Sequence, residues 1–401
     1  MVTNEQQGAK LPYGALLALA MTGFICIVTE TLPAGLLPEI GDGLSVSPSL
    51  AGQMVTVYAL GSLLAAIPLT IATQTWRRRT VLLLTVIGFL VFNSITALSS
   101  VYWLTLIARF FAGVSAGLAW SLIAGYARRM VVPALQGRAL AVAMVGTPIA
   151  LSLGVPLGTW LGGAIGWRMS FGVMSGLTLV LIAWVLIKVP DYPGQSSSQR
   201  LGLRQVLFTP GVRAVLGVVL TWMLAHNILY TYIAPFVSGA GLGRHVDLVL
   251  LVFGVAALAG IWISGRLVDR HLRAAVLVSL ATFAAVAVFL GMFSASAAAI
   301  CLGVFIWGLT FGGAATLLQT ALADAAGEGA DVALSMNVVV WNSAIAGGGL
   351  LGGVLLGQWG VSTFPWILLV LLLASLSLAF RARLHGFPQG ERYAGQGAAA
   401  H

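Results

Sequence analysis

Three ionisable residues lie well inside apolar stretches of this 401-residue chain: Glu30, Arg109 and His226. A charged side chain at the centre of a membrane helix costs about 2.5–3.5 kcal/mol on insertion scales, so such groups ordinarily face a cavity and serve a function. Glu30 falls about 6–8 residues before the end of the first apolar run, or ~10 Å deep at 1.5 Å per residue. Arg109 lies at a similar distance from the start of the fourth run, so the two can meet. Burial disfavours a lone carboxylate and a neighbouring guanidinium favours it. Together they could form a switch in which protonated Glu30 releases Arg109, and ionised Glu30 pairs with it or makes way for a solute. Structural readings stand beside this one. Glu30 could simply hydrogen-bond helices together, and the Arg109 guanidinium could bond backbone carbonyls of adjacent helices. His226, followed by Asn227, could bind a hydroxyl, relay protons or pack across helices.

A second group of residues suits the recognition of a flat or hydroxylated solute, which needs aromatic faces and a few amides and hydroxyls in a concave site. Its members are Tyr58, Trp120, Tyr230, Tyr232, Trp307, Gln319, Asn337, Trp341 and Asn342. Asn337 and Asn342 are five apart, so a straight helix cannot aim both at one point. Enzyme-like patterns fail on context. Gly113-Val114-Ser115-Ala116-Gly117 matches a hydrolase nucleophile motif but lies mid-span, with no strand to form the required turn. Gly347 to Gly352 matches a dinucleotide pattern and also falls inside a span. Cys26 and Cys301 both sit in apolar runs, with no disulfide framework and no metal-ligand spacing. No cofactor is implied.

The elements that must position these groups are membrane helices. The chain is 59% hydrophobic and 8% charged, whereas soluble domains carry about a quarter charged residues. No Asp, Glu, Lys or Arg occurs in 274–323 or in 332–380. A spanning helix needs roughly 20 apolar residues, so each stretch holds two spans. Cutting at charges and turn residues predicts twelve helices near 13–36, 49–72, 80–99, 102–127, 139–162, 168–189, 211–237, 246–266, 274–293, 297–322, 332–357 and 362–381. Seventeen of the 20 Lys and Arg residues, from Lys10 through Arg200 to Arg392, fall in alternate loops and tails. The other side has only Arg168 and Arg244. That asymmetry orients both termini to the cytoplasm and accounts for the net charge of +9 without nucleic acid. The opening segment lacks the form of a cleavable leader.

The polar stretch 190–210, with Gly194-Gln195-Ser196-Ser197-Ser198, reads as a flexible linker. It divides the chain into residues 1–189 and 211–401, two six-helix bundles. The bundles are related: Leu69 to Arg77 ends the second span and Gly265 to Arg273 the eighth, 196 residues later, and the same offset carries Glu30 onto His226. Parallel repeats around a midplane site are a transporter architecture.

At these residues the chain resembles the major facilitator superfamily. Gly265-Arg266-Leu267-Val268-Asp269-Arg270-His271-Leu272-Arg273 is similar to its gating-loop signature. In the counterpart after helix 2, Thr73 replaces the acid and Arg77-Arg78-Arg79 remain. Arg109 with Gly113 and Gly117 resembles the Arg-x-x-x-Gly motif of proton-coupled members. Gly154-Val155-Pro156-Leu157-Gly158-Thr159 resembles the antiporter motif of exporters. Thr29 to Pro38 and Ala225 to Phe236 are similar to the sugar (arabinose-type) efflux branch of the twelve-span drug:proton antiporters, and purine nucleoside exporters share much of that pattern.

The resemblance implies an all-α membrane fold of two pseudo-symmetric bundles. Helices 1, 4, 7 and 10 would line the cavity, which favours Tyr230, Trp307 and Gln319. It implies gating or structural roles for Arg77, Gly154, Pro156, Gly158, Gly265, Asp269, Arg270 and Arg273. The expected activity is proton-coupled export of sugars, sugar analogues or drugs by a monomer in a bacterial inner membrane. Export of purine nucleosides is the alternative, and import is opposed by the helix 5 motif. An intramembrane enzyme lacks a nucleophile–base–orienter constellation, and a receptor would want a sizeable soluble domain.

Overall fold

A computed structural model of the protein describes residues 11–73, 75–132, 135–194 and 203–389. Lys10, Arg200 and Arg392 lie outside these. Among the described residues all regular structure is helical, because hydrocarbon offers backbone N–H and C=O groups no partner and a helix satisfies them internally. Twelve helices are long and apolar enough to span a membrane: α1 (Tyr13–Gly35), α2 (Pro48–Thr73), α3 (Arg78–Leu98), α4 (Tyr102–Arg129), α5 (Arg138–Ile165), α6 (Trp167–Lys188), α7 (Val212–Thr231), α8 (Val246–Val268), α9 (Arg270–Met292), α10 (Ala297–Ala326), α11 (Val332–Trp359) and α12 (Val361–Arg381). The number and order match the reading of the sequence.

Breaks within the spans have local causes. Pro156 has no N–H to continue the ladder and its ring crowds the carbonyl four residues back. The preceding Ala150–Gly154 widens accordingly into a π-turn. The predicted seventh helix, 211–237, stops early. Pro235 conflicts with the carbonyl of Thr231, Tyr232 leaves helical geometry (φ −111°, ψ 30°), and a short helix Ile233–Ser238 follows. α10 is interrupted at Gly313, between Ala297–Gly312 and Ala314–Ala326. The expected loop at 265–273 is a tight turn rather than an extended segment: α8 and α9 are separate spans that meet there. No proline falls between Val246 and Met292, and only His271 (φ −131°, ψ 33°) departs from helical dihedrals there. At the turn between α5 and α6, Gly166 adopts φ +96°, a left-handed conformation that suits glycine.

The described residues fall into two compact units, drawn from 1–32 and 57–197 and from 33–56 and 198–401. In the first, α4 presses against α2. A Cβ at Gly113 would collide with the Tyr58 carbonyl oxygen, and one at Gly117 with that of Ser62. In the second, α10 presses against α8. A Cβ at Gly308 would stand 2.5 Å from the Phe253 carbonyl oxygen, and one at Gly312 would strike that of Ala257. Gly308 and Phe253 each follow Gly113 and Tyr58 by 195 residues, and the same interval separates Gly312 and Ala257 from Gly117 and Ser62. The repeat therefore extends to individual backbone contacts.

At the basic end of the first unit, the start of the predicted linker is held in place. Asp191 accepts from Arg77 Nε at 2.5 Å and from the Arg79 backbone N–H at 3.2 Å. The Tyr192 carbonyl accepts from the Arg78 N–H, Tyr126 donates to the Pro190 carbonyl, and Arg129 to that of Pro193. Residues 190–194 are thus held rather than loose: a carboxylate and three carbonyls there accept from two arginine side chains, two backbone N–H groups and a tyrosine hydroxyl. The later part, 195–202, lies outside the described residues, and Leu203–Leu207 is a short helix. Arg273, expected to have a gating or structural role, donates to the carbonyls of Ala379 and Phe380 in the last turn of α12 and to that of Phe387 beyond it. The first two are among the carbonyls a helix end leaves unpaired.

Two outcomes follow from this packing. Gly117→Val should lower the thermal midpoint of the detergent-solubilised protein by the equivalent of about 1–3 kcal/mol, because a backbone carbonyl cannot swing aside as a side chain can. Gly163→Ala, where an added Cβ meets nothing within 4 Å, should leave it unchanged; equal midpoints for Gly117→Val and the parent would refute the contact. Desolvation raises the Asp191 carboxyl, but the hydrogen bonds from Arg77 and Arg79 outweigh it and hold the group below the usual carboxylate range. A depressed carboxyl stabilises above its unfolded-state value of about 3.9 and loses that contribution as pH falls through the lower folded value. The protection factor for amide exchange at residues 191, 192 and 194, corrected for intrinsic rate, should fall below about pH 4 in the parent and be low at every pH in Asp191→Asn.

Candidate functional site

In the first unit the glycine contact decides where Tyr58 stands, and Tyr58 in turn supports Arg109. Arg109, on α4, is fully buried (0% exposed). Its guanidinium lies over the Tyr58 ring at 4.8 Å and faces Phe171 of α6 at 5.6 Å. Nη2 donates to the backbone carbonyl of Glu30 at 3.3 Å. The sequence expectation that Glu30 and Arg109 meet is thus realised at the main chain of α1. The Tyr58 hydroxyl donates to the Cys26 carbonyl, one turn before Glu30. One turn beyond, Pro33 has no N–H for the Thr29 carbonyl. Asn93 of α3 donates to the Thr29 hydroxyl at 3.0 Å, while its own Oδ1 is buried without a partner. The Glu30 side chain is itself buried. The guanidinium is thus held by two π-faces and by the main-chain carbonyl of the residue that carries the buried carboxyl.

In the second unit the equivalent place holds rings. His226, at the depth of Glu30 in the repeat, stacks face to face on Phe311 (centroids 3.5 Å apart, 4° between planes). Tyr230 and Trp307 each lie 5.2 Å from it, and Phe253 lies 5.8 Å away. Trp307 and Phe253 are themselves 4.5 Å apart. His226 Nδ1 and Trp307 Nε1 are buried with no hydrogen-bond partner, a cost that a dry core ordinarily avoids. No side chain in this cluster carries a fixed charge.

Of the predicted solute-binding residues, Tyr230 and Trp307 are brought together here, and His226 joins them rather than a proton-relay partner. Asn227 turns aside: its amide bonds back to the Met223 carbonyl at 2.7 Å, and Gly348 of α11 closes on it. Tyr58 is committed beneath Arg109. Trp120 packs on Gly23 of α1. Tyr232 donates to the Gly349 carbonyl at 2.7 Å, beside Gln53 and Gly353, which makes it a helix tie. Gln319 is exposed and Trp341 half-buried, Asn342 bonds back to the Val338 carbonyl, and Asn337 is buried with an unpartnered Oδ1.

Among the motif residues, Gly154 and Gly158 receive Phe24, Val28 and Leu32 of α1, and Pro156 causes the π-turn. Arg77 holds Asp191. Gly265 has open space around it, Arg270 is exposed, and the Asp269 side chain lies outside the described residues. Phe171, Phe253 and Phe311 were missed by sequence reasoning. Two signals could have found the last pair: Phe253 is the repeat counterpart of Tyr58, and Phe311 is four residues from Trp307 on one helix face.

A family model for the Major Facilitator Superfamily matches residues 19–349. The chain is 31% identical over 376 residues to the purine ribonucleoside efflux pump NepI of Escherichia coli O6:K15:H31, covering 92% of this chain and 94% of the relative. The pump of the same name from Escherichia coli strain K12 matches with the same identity and coverage. The twelve spans, the repeated glycine contacts and these matches lead to one conclusion: the chain is a multi-pass membrane transporter of the major facilitator superfamily.

Proposed function

We propose that this transporter exports a neutral nucleoside-type solute from the cytoplasm in exchange for protons, without altering the solute chemically. The observation that carries the reading is the burial of Arg109 against α1 at Glu30, two ionisable groups brought together inside one helical unit. The nucleoside class is supported by the purine ribonucleoside efflux for which the relatives are named and by a second-unit cluster made of rings and unpartnered polar ring atoms. Protonated Glu30 would leave Arg109 on its carbonyl and π-faces. Ionised Glu30 would draw the guanidinium from them and loosen α1 near Pro33. The bundles 1–189 and 211–401 would then rock about the 190–210 segment, with both termini cytoplasmic in a bacterial inner membrane.

The energetics suffice. One charge moving down the membrane potential releases about 2.3 kcal/mol per 100 mV, enough for roughly a 50-fold gradient of a neutral solute at 1.4 kcal/mol per tenfold. In inverted vesicles, an imposed pH gradient should drive labelled inosine inward through the parent, with the label recovered as inosine. Glu30→Gln should abolish the gradient-driven component while retaining inosine binding. Uptake by Glu30→Gln that still follows the pH gradient would refute the coupling role.

A further inference from the structure

We infer that the His226 cluster is the subsite for a planar nitrogen-heteroaromatic base, and that in this conformation the Phe311 ring occupies the base's place. The inference rests on the nucleoside reading above and names the residues that would meet the base. Aromatic pairs prefer offset or edge-on arrangements with centroids 4.5–7 Å apart over a face-to-face sandwich, because like quadrupoles repel. Phe311 nonetheless lies parallel to His226 at 3.5 Å. A benzene ring is a poor occupant of that position, and an electron-poor heterocycle is a better one.

The surrounding atoms point the same way. His226 Nδ1 and Trp307 Nε1 are unpartnered, on side chains 7% and 1% exposed. Phenylalanine can satisfy neither. A base with ring nitrogens and an exocyclic oxygen or amine can accept from the indole N–H and pair with either tautomer of the imidazole. Tyr230 and Phe253 add ring faces within 6 Å of His226. A sugar alone would supply hydroxyls but no π-system for the stack.

Phe311 is placed to leave. It is the half-buried member of the cluster, and it directly precedes Gly312 and the break in α10 at Gly313. Beyond that break a new helix begins at Ala314. The Thr310 hydroxyl donates back to the Trp307 carbonyl at 3.0 Å within the same helix. The glycines are confined by α8, since a Cβ at Gly313 would strike the Ser264 hydroxyl, so movement falls to the side chain and the turn that carries it.

The test is equilibrium binding of radiolabelled inosine to the full-length protein in nanodiscs, with hypoxanthine and ribose as competitors. Hypoxanthine should compete within about tenfold of inosine and ribose should not. Phe311→Ala should tighten inosine binding severalfold, because the base no longer displaces a ring. Trp307→Leu should weaken it by about tenfold or more, the usual scale for losing a stacked aromatic. Trp307→Phe, which keeps the ring and loses the indole N–H, should fall between and guards against a folding defect in Trp307→Leu. Competition by ribose but not by hypoxanthine, or inosine affinity unchanged or weakened in Phe311→Ala, would overturn the inference, as would absence of inosine binding by the parent. The assay uses no gradient, so pH-driven flux of another solute would leave proton-coupled export standing even if the base subsite fell.

Discussion

In both halves of this protein a helix is pressed against another where glycine replaces a side chain, and backbone meets backbone. Gly113 and Gly117 lie under the carbonyls of Tyr58 and Ser62; Gly308 and Gly312 lie under those of Phe253 and Ala257. Lipid supplies no hydrophobic drive to bring helices together, so association depends on close van der Waals approach, which small residues permit. Because the contact fixes the backbone of residues 58 and 253 themselves, the rings they carry project at defined positions. The neighbourhood of Arg109 and that of Trp307 follow from the same geometric decision taken twice.

On that repeated frame the two halves present different chemistry. The first places a guanidinium over a tyrosine ring and against the main chain at a buried carboxyl. The second, at the counterpart of that tyrosine, has Phe253 in contact with an imidazole, a phenol and an indole. A buried charge demands compensation and is expensive to leave unpaired, whereas a cluster of neutral rings can open without that penalty. A division of labour, in which one half senses charge and the other holds an uncharged solute, is therefore compatible with one architecture serving both.

Elsewhere, residues taken from motifs make bonds that hold helices in place. Arg273 ends α12 by satisfying its last carbonyls, Arg77 holds Asp191, and Tyr232 ties α7 to Gly349. Arg273 meets carbonyls left unpaired at a helix end, Arg77 meets a carboxylate and Tyr232 a mid-helix carbonyl, so each polar group finds a protein partner where water is scarce. Arg266 likewise rests on the Trp262 ring at 3.3 Å. A motif records which residue types are needed at a place, and several of these were needed for closure of the helices.

The amino-acid sequence alone determined the twelve spans, their order, the two related halves and the depth at which Glu30, Arg109 and His226 sit. All of these follow from apolar length, charge placement and a regular rise per residue, which are local properties. It also carried the glycine spacings without revealing which carbonyls would fill them. Only the tertiary structure decided that Arg109 bonds the main chain at Glu30, that Asn227 turns back on its own helix, that the turn between α8 and α9 tightens onto His271, and that Phe311 covers His226. Those outcomes depend on which helix faces meet and on the competition among partners within reach, and neither quantity is written in the periodicity of a single segment.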